Sequence, residues 1–242
     1  MCRNYRFLSQ SVLLFALFLL AGLCIPQPAS GSLVVAYFAE NLYTSTVERT
    51  VNDGANWYTT TVGLFRFQRG GGDYPGFSAI DFYAFCIEPR EFVSVGTTYT
   101  YDWSVLEDGA TNIGGMGIAK ATLLSELYAQ YYPSFLPVLN QDKAGALQIA
   151  TWEIVRETSG TMNVLEGTTR FRNAANPTTM TLAQSYLDSL TGAGPYMDVV
   201  AALTAVGGVQ DVVVHDNPEP GTLALLGLGL LALAAAGKVR KR

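Results

Sequence analysis

Two residues interrupt apolar segments in a way that admits chemistry. Cys86 sits in AIDFYAFCI (79–87), and Gln148 lies sixty-two positions later in QDKAGALQIATWEIVR (141–156). A thiol held against a carboxamide can expel ammonia and leave an internal Cys-Gln thioester. Fixed proximity makes that step feasible by raising the effective concentration, and a dry aromatic pocket protects the acyl product from water. The same residues fit blander roles. A buried cysteine can be a small inert hydrophobe, and a glutamine on an apolar stripe can be a core amide satisfied by hydrogen bonds.

Other chemistries fit less well. A cysteine hydrolase needs a positioned base, and the single histidine, His215, falls in the linker near the C-terminal end of the chain. Neither a His/Cys cluster nor an Asp-rich loop suggests a metal site, and no cofactor motif is present. Asp102, Glu107 and Asp108 read as a solvated turn rather than a glycosidase pair. Aromatic strands can also stack on sugars, which keeps a non-covalent polysaccharide-binding module in view.

The elements that must position Cys86 and Gln148 follow from periodicity. Residues 33–38, 57–68, 79–87 and 92–103 are rich in β-branched and aromatic side chains and read as strands. Residues 52–54 (NDG) signal a turn, and the glycines of 69–76 read as a plain connection. Alternation puts Ile80, Phe82, Ala84 and Cys86 on one face. The period then changes. Residues 117–132 place Ile118, Ala121, Leu124 and Tyr128 at helical spacing, with Pro133 and Pro137 as stops. Asn140 can cap a helix over 141–156, whose stripe of Ala144, Leu147, Thr151, Ile154 and Val155 takes in Gln148, one turn before Trp152. Pro177 introduces a third helix over 178–190. Strands return at 197–206 and 209–214. Strands, helices, then strands imply an α+β domain, an antiparallel β-sandwich or barrel with a helical insertion.

The two ends read differently. Arg3 and Arg6 precede an uncharged run over 11–23, then Pro26, Pro28 and the small residues Ala29-Ser30-Gly31. This is the pattern of a secretory signal peptide over 1–31. At the other end Pro218-Glu219-Pro220 leads into an apolar run over 223–236 and a basic cluster of Lys238, Arg240, Lys241 and Arg242. Basic residues stay on the cytoplasmic side, so the run reads as a short transmembrane helix with the bulk of the chain outside. The exported domain then spans 32–214 and the tail 215–242. Between residues 31 and 216, nine basic residues face nineteen acidic ones, a balance near −10 that argues against nucleic acid. Cys2 and Cys24 leave with the signal, so Cys86 stands alone in an oxidising compartment and needs a role other than an internal disulfide.

Two resemblances follow from these residues. The tail, with Pro218, Glu219 and Pro220 ahead of the apolar helix and basic cluster, resembles the PEP-CTERM sorting signal. That resemblance implies an exosortase as partner, anchoring in the membrane before processing, and a Gram-negative cell that makes extracellular polysaccharide. Phe85-Cys86-Ile87 and Leu147-Gln148-Ile149-Ala150-Thr151-Trp152 are similar to the paired motifs of bacterial surface thioester domains. That likeness implies Cys86 as acyl acceptor, Gln148 as acyl donor and Trp152 as pocket wall. It implies an adhesin rather than an enzyme, directed at an amine- or hydroxyl-bearing surface target or an exopolysaccharide. The known bearers are Gram-positive, which leaves the target open.

Overall fold

The computed structural model describes residues 32–51, 56–72, 81–135, 140–172, 174–197 and 200–215. The expected signal peptide, the turn at 52–54, the sorting motif and the apolar tail lie outside them. Among the described residues no helix is long and apolar enough to cross a membrane.

Among the described residues seven strands form: β1 (Ser32–Val51), β2 (Tyr58–Gly72), β3 (Asp81–Cys86), β4 (Thr98–Ser104), β5 (Thr169–Arg172), β6 (Val200–Ala205) and β7 (Val212–His215). Their order is β2-β3-β7-β6-β4-β1-β5, every pairing is antiparallel, and β1 also pairs with β2. That last pairing closes six strands into a barrel. Of the two architectures open to the sequence, the barrel forms. Closure removes the sheet edges that a sandwich would leave unpaired.

Alternate residues of the six strands point inward, as a period of two requires. Ala36, Phe67, Ala84, Tyr101, Leu203 and Val214 belong to this inner cluster. Phe67 stacks on Phe82 and meets Tyr101 edge-on. β5 lies outside the ring, pairing only with residues 48–51 of the long β1.

Three helices form the insertion: α1 (Gly117–Phe135), α2 (Gln141–Arg156) and α3 (Pro177–Asp188). α1 continues past Pro133, which falls in its last turn, where a missing N–H costs a single bond. Ile118 does not join the expected apolar stripe; it is exposed, while Ala121, Leu124 and Tyr128 are buried. Asn140 caps α2 by accepting from Asp142 and Lys143 N–H at 2.8 and 3.3 Å, and Asn176 caps α3 through Thr178 N–H.

α2 is buried on all sides from Ala144 to Arg156. It is a central element packed against β1, β2 and α3, more than the one-sided stripe implied. Gly145 permits this approach, since a Cβ there would lie 2.9 Å from Thr179 Cγ2. The strand expected over 92–103 is shorter, because residues 91–97 form a turn-bearing loop with Gly96 at φ 86°.

Candidate functional site

Cys86 is the last residue of β3, and the ladder around it explains its surroundings. β2 pairs with β3 from Gln68↔Asp81 to Phe65↔Ala84 and then stops. Continued register would set Gly63 opposite Cys86. Instead, Gly63 turns toward an irregular stretch of β1, where a Cβ would meet backbone atoms of residues 42–44 at 3.0 Å. On its other side β3 remains paired, with Cys86↔Val212 and Ile87 N–H donating to Asp211 C=O at 3.0 Å. Cys86 therefore has a backbone N–H and C=O that β2 does not reach, and a buried pair of that kind must find partners.

Gln148 supplies them. Its Oε1 accepts from Cys86 N–H at 2.9 Å, and its Nε2 donates to Cys86 C=O at 2.7 Å. One carboxamide thus takes the place of a strand residue, docked at both ends on the thiol-bearing residue. Cys86 is fully buried and Gln148 is 1 % exposed. The side chain of Cys86 groups with the helix-facing cluster of Phe85 and Ile87, not with the inner cluster of Phe82 and Ala84. Simple alternation put it with the latter. At the end of the strand, α2 covers the barrel, and that contact decides.

Two N–H groups converge on Sγ. Trp152 Nε1–H, one turn beyond Gln148, donates at 3.2 Å, and Gln210 Nε2 donates as well. Gln210 also reaches the backbone carbonyl of Glu88 at 3.3 Å. Trp152 is held in turn by Phe171, stacked at 6.3 Å, and by the guanidinium of buried Arg49, 5.7 Å from its ring. Burial pushes the Cys86 thiol far above its ordinary range, against the lowering effect of the Trp152 bond. The thiol keeps its proton at neutral pH. Activated enzyme nucleophiles are shifted the other way.

A cleft of about 280 Å³ lies beside this point. Trp152 and Gln210, the two donors to Sγ, line it together with Thr59–Thr61, Asn41 and the 89–93 loop, including Glu91 and Phe92. It falls just below the ~300–1,000 Å³ typical of ligand pockets, room for one side chain or one sugar-borne group. Beside it Glu88 is buried, with Oε1 accepting from Asn112 N–H at 2.8 Å and Oε2 from Asp211 N–H at 2.9 Å. Burial, and then a hydrogen bond with Glu91, push Glu88 up to about 8.

The structure thus brings together Cys86, Gln148 and Trp152. His215 stands apart. Its ring stacks on Tyr132 at 5.2 Å, three residues along β7 from Val212, the partner of Cys86, or about 10 Å of strand. Among the described residues no group of three or more His, Cys, Asp or Glu is placed to hold a metal. Sequence reasoning missed Gln210, Glu88 and Glu91. Gln210 alone left a signal: in the β7 region it alternates with Val212 and Val214, a polar residue in phase with apolar ones.

Neither a curated protein nor a solved structure matches the chain. Residues 218–241 match the PEP-CTERM protein-sorting motif, which implies exosortase-dependent export and sorting toward the cell surface.

Proposed function

We propose that the exported domain closes an internal thioester between Cys86 and Gln148 and spends it once, attaching the protein covalently to an amine- or hydroxyl-bearing surface target or exopolysaccharide. The observation that carries this reading is the docking of the Gln148 carboxamide on both backbone groups of Cys86. Sγ attacks the Gln148 carbonyl carbon. The charge that gathers on Oε1 faces the Cys86 N–H, a donor already in place. The C–Nε2 bond then breaks, the thiol proton passes to Nε2, and ammonia leaves. When a target amine or hydroxyl later attacks the same carbon, the departing sulfur is received by the N–H groups of Trp152 and Gln210.

The protonated, deeply buried thiol favours a single acyl event over enzymatic turnover, since nothing in this arrangement regenerates the acyl bond once ammonia is gone. The apolar tail anchors the protein in the membrane until the exosortase processes it at Pro218-Glu219-Pro220. The mature protein then acts in adhesion or cohesion at the cell surface or in the biofilm matrix.

Methylamine is the direct probe. The exported protein should gain one methylamine at Gln148 and expose the Cys86 thiol to alkylation, while Cys86→Ala and Gln148→Ala should take up none. Wild-type protein that alkylates fully before any amine is added would refute the thioester. One observation favours a second reading. Both polar atoms of the Gln148 amide are paired as they stand, as a purely structural core amide would be. In that reading the domain is a non-covalent structural or polysaccharide-binding module.

A further inference from the structure

A closed thioester is sealed in the core, and the cleft adjoins it. Trp152 and Gln210, which touch Sγ, line the cleft. Thr59–Thr61 and Asn41 line it too, and the 89–93 loop contributes its one ionisable lining residue, Glu91, which is half-buried.

We propose, resting on the thioester reading, that this cleft is the acceptor channel and that Glu91 is its proton-accepting residue, drawing in a protonated primary amine and taking its proton before attack. Three observations converge on it. Glu91 shares the cleft with the two side chains that hold the sulfur. Its neighbour Glu88 is buried, with both oxygens accepting from backbone N–H groups and a side-chain hydrogen bond to Glu91 itself, so Glu88 is not presented to an incoming group. The remaining base candidate, His215, stacks on Tyr132 away from the cleft. A carboxylate is too weak a base to ionise an alcohol but can relieve an ammonium of its proton at the moment of attack. In an exported part with a charge near −10, a cation is also drawn toward the surface.

The step balances. An ammonium enters with three N–H bonds. One proton passes to the Glu91 carboxylate, and the nitrogen attacks the Gln148 carbonyl carbon. The C–Sγ bond breaks with its electron pair on sulfur, and a second proton moves from nitrogen to Sγ. An amide and a free thiol remain. Other charged groups bear on Glu91: Glu88 on its own segment, Asp211 ahead of β7 and Arg156 on α2. Any pH profile reflects that set.

The test uses exported full-chain protein carrying the ammonia deficit, followed by intact mass. Methylamine, charged at pH 7, is compared with hydroxylamine, which is uncharged there and needs no deprotonation before attack. Glu91→Gln should slow methylamine about a hundredfold more than it slows hydroxylamine, the low end of what a positioned base contributes. Glu91→Asp should restore part of the difference. In the wild type, methylamine should be taken up well ahead of glycerol, a measurement that needs no variant to fold. Equal slowing of both amines, no slowing, or equal uptake of glycerol would overturn the role of Glu91 while leaving the thioester intact. Absence of the ammonia deficit in wild-type protein would remove both at once.

Discussion

Gln148 serves the fold and the proposed chemistry with the same two atoms. Cys86→Ala and Gln148→Ala both abolish the acyl bond, but only Gln148→Ala also leaves the N–H and C=O of residue 86 buried and unpaired, so it should be the less stable of the two by about 1–3 kcal/mol in a denaturant titration. Equal stability of the two variants would show that these hydrogen bonds are absent in solution. Trp152→Phe separates the indole N–H from the stacking surface. It should keep the contact with Phe171 while losing the donor to Sγ, and the fraction of protein closed should fall with little change in the denaturation midpoint. Cys86 and Gln148 were legible in sequence because each interrupts an apolar segment, and Trp152 through the likeness of its motif to thioester domains. Gln210 left only a faint mark, a polar residue in phase with Val212 and Val214, and Glu91 left none, because its importance arises from which loops border the cleft, and no periodicity encodes that.

At the scale of elements, α2 governs the site, and its packing can be tested away from the chemistry. The Cβ of Gly145→Val would stand 2.9 Å from Thr179 Cγ2 and 3.4 Å from Val62 Cγ2. Overpacking between α2 and α3 should cost about 1–3 kcal/mol, read as a lower denaturation midpoint; an unchanged midpoint would mean the helices do not approach this closely. Glu153, buried on the same helix, accepts from Asn163 N–H at 3.0 Å. Burial, then the charge of Glu157, push it up to about 9. Its folded form favours the proton, so its contribution is fully present below the ordinary carboxyl range and is lost as pH rises toward about 9. Glu88, pushed up to about 8, acts in the same window and direction. The domain should therefore unfold at lower urea at pH 9 than at pH 6, and Glu153→Gln should flatten that slope; an unaltered slope in the variant would contradict the assignment. Glu157 runs oppositely. Against the effect of burial, the hydroxyls of Ser159 and Thr168 and then the backbone N–H groups of residues 159 and 169 hold it down to about 2. Its contribution persists until strongly acid pH. The helix over 141–156 and its Asn140 cap were readable because capping and periodicity are local. β5 was not, because its four residues become a strand only by pairing with the far end of β1.

For the whole molecule, a closed barrel with a helical insertion carries a cleft beside Cys86, and a sorting motif follows the last described strand by two residues. The alternation of strands announced a β domain. Closure could not be read, since it depends on residues 34–37 of β1 pairing with β2 on one edge and β4 on the other, distant segments that no local pattern selects. Deleting residues 218–242 should move the protein from the membrane fraction to the periplasm or medium, and an exosortase-null strain should retain the apolar tail on the protein; a truncated chain that still fractionates with membranes would remove the tail as anchor. The central claim rests on a single bond, and intact mass spectrometry of the exported protein reads it directly. After allowing for the substitutions themselves, wild-type protein should be lighter by one ammonia than Cys86→Ala and Gln148→Ala, and methylamine should turn that deficit into a gain of one methylene over the unmodified mass. Equal masses, with a wild-type Cys86 thiol that alkylates from the start in denaturant, would contradict the account.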